Sequence, residues 1–115
     1  MDFSFGVTTD AVVVTPVGRI DEATWEEFGT HLSDGIELAL RGSRKVLIVD
    51  LSHTDYMSSR GLRALSVARN KATAAGIAIR LATPNDVMRE IIAISRYDRL
   101  FIVDDALPAD CRSVS

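Results

Sequence analysis

The chain has 115 residues, of which 47% are apolar and 25% charged, and its formal net charge is -3. This length and composition predict one globular domain over residues 1–115 with a core of its own, and they exclude an intrinsically disordered chain. The sequence contains no basic stripe, so we do not expect a nucleic-acid partner.

Several kinds of site are excluded by what the sequence lacks. Cys111 is the only cysteine, so the chain can form neither an internal disulfide nor a zinc site built on cysteines. No apolar run approaches the roughly 20 residues that cross a bilayer, and the N-terminus has no signal-peptide pattern. Neither common glycine-rich phosphate loop occurs. We therefore expect a cytoplasmic protein that has no cofactor and does not contact a membrane.

The N-terminal third predicts a hairpin followed by a helix. Residues 3–7 and 11–17 are strand-like runs on either side of a turn, and Pro16 is expected at a strand end or edge because it cannot donate a ladder hydrogen bond. From Asp21 onward, apolar residues recur every three or four positions, which is the pattern of one buried helical face. That face is predicted to contain Trp25, Phe28, Leu32, Ile36, Ala39 and Leu40.

The rest of the chain predicts alternating strands and helices. Residues 46–51 form an apolar run interrupted only by Asp50, which predicts a central strand buried on both faces and parallel to a neighbour. A second helical pattern starts at Leu62 and ends at Gly76, a residue suited to the position just after a helix. The remaining predicted elements are a strand at 77–81, a helix with Pro84 at its first position and Val87, Met88, Ile91 and Ile92 on its buried face, a strand at 100–103, and a final turn or helix from Ala106.

This order of elements indicates an α/β fold. We expect a mixed central β-sheet with an initial β-hairpin, followed by alternating helices and strands. Functional sites in such sheets gather at the carboxyl ends of strands, and Ser58 and Ser59 lie at such an end.

The two serines admit three interpretations. Either serine would cap the following helix by accepting a hydrogen bond from a free backbone N–H. A helix N-terminus also favours a phosphate, so a phosphoserine would be tolerated there. Alternatively, Ser59 could form a hydrolase triad with His53 and either Asp50 or Asp55. The G-x-S-x-G elbow of such hydrolases is absent, because Met57 stands where its first glycine should be.

Motifs in order along the chain carry a resemblance to a known family. The first is V-x-x-x-G-R-I-D-x-x-T, from Val14 to Thr24, and the second is the strand L-I-V-D-L followed by Y-M-S-S-R-G-L. The same register continues through the A-A-G turn that ends at Gly76 and through R-Y-D-R-L-F, from Arg96 to Phe101. Together these segments resemble the STAS domain of anti-anti-sigma factors, also called anti-sigma factor antagonists. The resemblance covers nearly the whole chain and implies the STAS fold.

The resemblance also implies roles for particular residues. In such proteins a partner kinase phosphorylates the serine two residues before the glycine of the second motif, which here is Ser59. The aspartate of the first motif lies beside that serine in the family fold. Here it is Asp21, which could instead cap the following helix. The other residues that the resemblance places at the partner-binding surface are Thr24, Ser58, Arg60, Gly61 and Leu62, although Leu62 could equally belong to the core.

Three residues depart from the family pattern. Ser58 stands where many phosphorylated antagonists have an aspartate. Arg60 follows the target serine, where a small residue is usual, and it could either hold a phosphate on Ser59 or be a solvated side chain. Arg96 replaces a glycine, which puts only the turn at that position in question.

The function implied by the resemblance is that of a partner-switching regulator of bacterial transcription. Without phosphate, the domain would bind an anti-sigma factor that is also a serine kinase of the histidine-kinase-like ATPase type. Phosphorylation of Ser59 would break the complex, and a metal-dependent serine phosphatase would reset it, so the domain itself would not be an enzyme. The alternatives are a STAS module that is not phosphorylated and serves as a scaffold or transport-accessory subunit, and the hydrolase built on Ser59 and His53.

Overall fold

The computed structural model describes residues 1–114, which form a seven-stranded mixed sheet, three α-helices and one short 3-10 turn. The elements in chain order are β1 (Asp2–Val7), β2 (Ala11–Ile20), α1 (Trp25–Arg41), β3 (Val46–Asp50), β4 (Thr54–Met57), α2 (Ser59–Ala74), β5 (Ala78–Ala82), α3 (Asp86–Ser95), the 3-10 turn (Tyr97–Arg99), β6 (Ile102–Asp104) and β7 (Arg112–Ser113). In this described part of the chain, every helix is too short or too polar to cross a membrane.

The sheet confirms the predicted α/β architecture of a hairpin followed by alternating helices and strands. Its strand order is β6-β5-β3-β2-β1-β7, and β4 pairs with the last part of β2. β1 is antiparallel to both β2 and β7, whereas β2, β3, β5 and β6 are parallel to one another. β3 lies between β2 and β5 and its last four residues are buried, as predicted for a central parallel strand.

The main core lies between one face of the sheet and the three helices. Because side chains alternate along each strand, a second set of residues faces the other side of the sheet. There Leu107 and Cys111 of the C-terminal segment pack against Val13 and Ile48. The largest side chains of the main core include Ile20, Phe28, Leu32, Leu47, Leu65, Leu81 and Met88.

The strand β4 was not predicted, because its sequence T-D-Y-M is short and begins with two polar residues. It pairs in parallel with residues 18–20 of β2, and both Thr54 and Met57 are buried there. The register of this pairing shifts just after Gly18, whose φ of +96° favours glycine. β4 therefore leads the chain along the last residues of β2 and ends beside the turn that precedes α1.

Pro16 lies inside β2, so the expectation that it marks a strand end or edge was wrong. β2 pairs with β3 as far as Val14 and with β4 from Gly18, which leaves Pro16 between its two parallel partners. The Pro16 carbonyl oxygen accepts from Thr54 Oγ1 at 3.4 Å, so its nitrogen also faces this interruption. A residue without an N–H loses no ladder hydrogen bond at such a position.

Helix α3 begins later than predicted. Asn85 is its N-cap and accepts a hydrogen bond from the N–H of Met88 at 3.0 Å, so Pro84 precedes the cap and is not the first helical residue. Val87 was predicted to face the core but is 51% exposed, because it points about 100° away from the buried Met88 around the helix axis. Leu40, predicted on the buried face of α1, is likewise exposed in the last turn of that helix.

The turn after α3 forms even though arginine replaces the family's glycine. Arg96 ends the helix with a φ of +62°, in the left-handed region that glycine adopts most easily. The 3-10 turn follows it, and β6 begins at Ile102 rather than at residue 100. The expected glycine position is thus a real turn position in this chain.

Of the final turn or helix predicted from Ala106, the structure forms a turn at residues 109–110, where the Cys111 N–H donates to the Pro108 carbonyl oxygen at 3.2 Å, and the strand β7 follows it. β7 pairs antiparallel with β1, with Gly6 opposite Ser113. Cys111 packs beside this pair, since a Cβ on Gly6 would lie 3.2 Å from its sulfur. The unpaired edge of β1 therefore supplies backbone partners that hold this segment in the extended form.

Candidate functional site

The amino-terminal end of α2 follows β4 directly and contains the two serines of the second motif. Ser58 is the N-cap, and its Oγ accepts a hydrogen bond from the N–H of Gly61 at 3.3 Å. The N–H of Ser58 donates to the Ile20 carbonyl oxygen at 2.8 Å, which ties the start of the helix to the end of β2. The capping role that the sequence left open between the two serines therefore belongs to Ser58.

Ser59 is the first residue of α2, and it is exposed. Within residues 1–114 the Ser59 hydroxyl makes no hydrogen bond, and the side-chain cap of the helix comes from Ser58 instead. The first turn of α2 contains no acidic residue, so no carboxylate of the helix itself offsets the partial positive charge at this end. Ser59 thus combines a free hydroxyl with a position that favours an added phosphate.

Asp21 lies in a turn before α1 and is not the N-cap of that helix. Thr24 occupies the N-cap position, and α1 begins at Trp25. The Asp21 N–H donates to Thr24 Oγ1, and Asp21 Oδ1 accepts from the N–H of Ala23, both at 3.0 Å. The Thr24 hydroxyl donates to the Arg19 carbonyl oxygen at 2.7 Å. Asp21 and Thr24 therefore shape the turn between β2 and α1 together.

The parallel pairing of β2 and β4 places this turn beside the serines. Ile20 is paired with Met57, so the residues that follow them, Asp21 and Ser58, leave the sheet at the same edge. The first motif ends at this turn, and the second motif ends at the start of α2. The folded chain therefore joins the two motifs into one surface.

Two arginines lie across this surface. Arg60 Nε is 3.2 Å from Glu22 Oε2, and the Arg60 guanidinium lies 5.5 Å from the centre of the Trp25 ring. Arg19 covers the Tyr56 ring at 4.5 Å in the same manner. Arg60 is exposed, and these surface contacts connect α2 to the turn before α1. Arg19 and Tyr56 belong to the two sequence motifs but were assigned no role, and Glu22 falls on an unspecified motif position, so only contacts in the folded chain identify these three residues.

Gly61 is buried and allows α2 to approach the sheet closely. A Cβ at this position would lie 2.6 Å from Cγ of Met57 and 2.7 Å from Cγ2 of Ile20. Leu62 is half-buried and packs against the main core. Gly61 cannot offer a side chain to a partner, and its contribution is to set where the two serines stand. The partner-binding role assigned to Gly61 and Leu62 stays a prediction.

The residues of the hydrolase alternative are not assembled as a triad in the described structure. His53 and Ser59 flank opposite ends of β4, whose four residues span roughly 13 Å. Within residues 1–114, no hydrogen bond joins their side chains, and none joins His53 to Asp50 or Asp55. This geometry gives Ser59 no general base from His53.

Asp50 is engaged in a different contact, at the carboxyl end of β3. Its carboxylate accepts hydrogen bonds from the hydroxyls of Thr83 and Thr15 and from the N–H of Ser52. Burial alone would raise the pKa of Asp50, but these hydrogen bonds outweigh burial and hold the pKa below its ordinary value. Asp50 therefore serves as an ionised anchor between β3 and the segment before α3.

A groove between α1 and α2 opens next to the serines, and we call it the α1–α2 groove. It encloses about 1070 Å³, with Trp25 and Ser59 at one end and Ser33 and Lys71 at the other. Its floor is formed by the small residues Gly29, Ala64 and Ala68. Trp25, predicted on the buried face of α1, packs against the main core but is only half-buried, and it also lines this groove.

Comparison with known proteins agrees with the resemblance drawn from the motifs. The STAS domain model matches residues 3–109. The fold resembles that of a Thermotoga maritima protein, with a TM-score of 0.77, 16% identity, and 91% of this chain and 87% of that chain covered. It also resembles an anti-sigma factor antagonist from Mycobacterium paratuberculosis, with a TM-score of 0.74 and 21% identity. The match covers 92% of this chain and 86% of that chain.

A third similar structure is the anti-sigma factor antagonist SpoIIAA in its unphosphorylated form. Its TM-score is 0.71, its identity 20%, and the coverage 91% of this chain and 89% of that one. Its phosphorylated form, from Bacillus, has a TM-score of 0.63. At these identities the likeness shows the fold, whereas the family model spans most of the sequence and confirms the resemblance drawn from the motifs. The chain belongs to the STAS domain family.

Proposed function

We propose that the chain is an anti-anti-sigma factor in a partner-switching pathway. Without phosphate it binds an anti-sigma factor that is also a serine kinase of the histidine-kinase-like ATPase type. The kinase transfers the γ-phosphoryl group of ATP to Ser59 Oγ, which releases ADP and the hydroxyl proton. The complex then dissociates, and a metal-dependent serine phosphatase restores the binding form. The chain is ligand and substrate in this cycle and catalyses no step itself.

The observation that carries this proposal is the division of roles between the two serines. Ser58 caps α2 and joins it to β2 through its own N–H. Ser59 is exposed, and its hydroxyl is not used by the fold. Modification of Ser59 would therefore leave the helix cap intact, whereas modification of Ser58 would remove it. A reversible switch requires a residue of the first kind.

Electrostatics supports the same direction of switching. A phosphate adds about -1.5 to -2 charges at neutral pH, and the N-terminus of α2 favours that charge. Asp21 and Glu22 already place two carboxylates on the neighbouring turn. Arg19 and Arg60 lie beside these carboxylates, so a phosphate would turn a charge-balanced surface into a net negative one while preserving the fold, and an acidic partner surface would be repelled.

The partner-binding surface in this proposal combines the two motifs. It comprises Asp21, Thr24, Ser58, Ser59, Arg60, Gly61 and Leu62. The fold shared with SpoIIAA supports the assignment, because SpoIIAA is an anti-sigma factor antagonist with structures in unphosphorylated and phosphorylated forms.

The test is intact-mass analysis of the chain purified from its own cells, with the modified peptide sequenced. We expect the mass of one added phosphate on the peptide that contains both serines, and we expect Ser59→Ala to abolish it. Ser58→Asp is the matched control, because aspartate is a good N-cap and leaves Ser59 as the only acceptor at the site. An unmodified chain under all growth conditions and with candidate kinases overexpressed would overturn the proposal in favour of a STAS scaffold or transport-accessory module.

A further inference from the structure

The α1–α2 groove has the dimensions of a helix-binding site. From Ser59 to Lys71, α2 rises about 18 Å, and from Trp25 to Ser33, α1 rises about 12 Å. The two helices approach closely over small residues, since a Cβ on Gly29 would lie 4.0 Å from the Cβ of Ala64. This leaves a shallow channel about three helical turns long, which an added helix could fill.

Two large apolar side chains of the groove are at least partly open to solvent in residues 1–114, although the Arg60 guanidinium lies over part of the Trp25 ring. Val67 lies midway along the α2 side and is 59% exposed. The Trp25 ring is half-buried at the end nearest Ser59. An exposed apolar stripe of this kind suits the apolar face of an amphipathic helix.

The charges along the groove favour a partner segment of negative charge. α2 carries four basic residues and no acidic one, although the whole chain has a net charge of -3. Arg63 and Lys71 line the groove, and in the part of the chain that the structure describes neither forms an ion pair. Glu26 is the carboxylate among the lining residues. The α2 rim is therefore a positive strip on an otherwise acidic protein, although the sequence pattern did not indicate a basic stripe.

We propose that the α1–α2 groove binds an amphipathic helix of a protein partner. The apolar stripe of that helix lies on Val67 and Trp25, and its acidic edge faces Arg63 and Lys71. The inference rests on the proposed function in one respect: Ser59 lies at the end of the same groove. A phosphate on Ser59 would oppose the acidic helix directly, which gives phosphorylation a physical means of releasing the partner.

The test uses synthetic peptides and the full-length chain. The probe is a peptide of about 15 residues with leucines at i, i+3, i+4 and i+7 and glutamates beside them. The first comparison peptide carries lysine in place of every glutamate. The second has the same composition as the glutamate peptide, in an order that forms no apolar stripe. Trp25 is the only tryptophan, so its fluorescence reports directly on the groove. We expect a saturable change with the glutamate peptide and none with the other two.

Variants locate the binding. The double variant Arg63→Glu with Lys71→Glu should weaken the glutamate peptide about tenfold and should allow the lysine peptide to bind. Val67→Asp should abolish binding of the glutamate peptide. Ile94→Asp is the matched control, because Ile94 is 75% exposed on α3 and away from the groove, and it should bind as the unaltered chain does. Circular dichroism of each variant verifies that it is folded.

Several outcomes would overturn the inference. Equal binding of the glutamate and lysine peptides would show that the charge of the partner helix does not matter. Equal loss of binding in Val67→Asp and Ile94→Asp would show that the peptide does not bind in the groove. A monomer–dimer equilibrium that Val67→Asp abolishes would identify a second copy of this chain as the occupant. Phosphorylation of Ser59 without peptide binding would reject the groove as a binding site and leave the proposed function standing. Peptide binding by a chain that is never phosphorylated would support the groove and reject the proposed function.

Discussion

Helices α2 and α3 both follow a strand of the sheet, and both are capped by a polar side chain. Ser58 accepts from the N–H of Gly61 at 3.3 Å, and Asn85 accepts from the N–H of Met88 at 3.0 Å. The residue after each cap differs, because α3 continues with Asp86 and α2 with Ser59. One helix therefore has a permanent negative charge at its positive end, and the other has a hydroxyl.

This difference separates a helix end built for stability from one that can receive a charge. α1 has Glu26 and Glu27 in its first turn, and α3 has Asp86, so both helix dipoles are offset within their own sequence. Of the three α-helices in residues 1–114, α2 is the one whose first turn lacks an acidic residue. The position that lacks a fixed negative charge is also the position of the proposed phosphorylation.

The largest expected effect concerns what holds the start of α2 in place. Gly61→Ala should lower the free energy of unfolding by about 1–3 kcal/mol, because the new Cβ would overlap Met57 and Ile20. Gly29→Ala is the matched control, since its Cβ meets only Ala64 at an ordinary 4.0 Å and should stabilise α1 by about 0.5–1 kcal/mol. Urea denaturation measures both. Equal effects of the two substitutions would mean that close packing at Gly61 does not position the serines.

The two caps should differ in energy. Asn85→Ala should cost about 2 kcal/mol, because Asn85 also donates from Nδ2 to the buried Thr54 carbonyl oxygen at 2.8 Å. Ser58→Ala removes a cap alone and should cost about 1 kcal/mol. Thermal unfolding of the two variants side by side measures the difference. A larger loss for Ser58→Ala would contradict the view that α3 has the more firmly fixed start.

A smaller effect tests the missing charge directly. Ser59→Asp should stabilise the domain by about 0.3–1 kcal/mol at low ionic strength, because it places a carboxylate at the positive end of α2. Asp86→Asn should destabilise α3 by a similar amount for the same reason. Both effects should shrink in high salt, which urea titrations at two salt concentrations would reveal. Destabilisation by Ser59→Asp would show that the carboxylates of the neighbouring turn outweigh the helix dipole.

The smallest effect is local and depends on pH. The pKa of Asp50 is held below its ordinary value by hydrogen bonds, one of them from Thr83 just before α3. The ionised Asp50 carboxylate therefore contributes fully to the free energy of unfolding above about pH 4, near the ordinary pKa of an aspartate. That contribution is lost as the pH falls through the lower pKa that Asp50 has in the folded state. The amide protection factors at the start of α3, which are corrected for the pH dependence of intrinsic exchange, should fall on acidification before those at the start of α2 do. Asp50→Asn should remove this difference between the two helices, and simultaneous loosening of both in the unaltered chain would contradict it.

Local patterns predicted the elements whose signal lies within a few consecutive residues. The hairpin and the central strand are short apolar runs, the three helices have clear apolar periodicity, and Gly76 adopts a positive φ just after α2. The short strand β4 has no such signal, because its place in the sheet depends on the last residues of β2, far away in the sequence. The same is true of β7, whose two residues are extended because the edge of β1 is available to them.

The sequence by itself determined that the chain has an α/β fold of the STAS type and that a serine pair stands at the start of its second helix. These features follow from periodicity, turn chemistry and motifs, which act over short distances along the chain. Only the tertiary structure decided that Ser58 is the cap and Ser59 is free, and that Arg60 contacts Glu22 and Trp25. The tertiary structure alone also decided that a groove lies between α1 and α2. The Arg60 contacts and the groove depend on which segments the parallel pairing of β2 and β4 brings together, which no local pattern of residues encodes. The cap itself is a local hydrogen bond to Gly61, and the hydrogen bond from the Ser58 N–H to the Ile20 carbonyl oxygen ties this helix start to the end of β2.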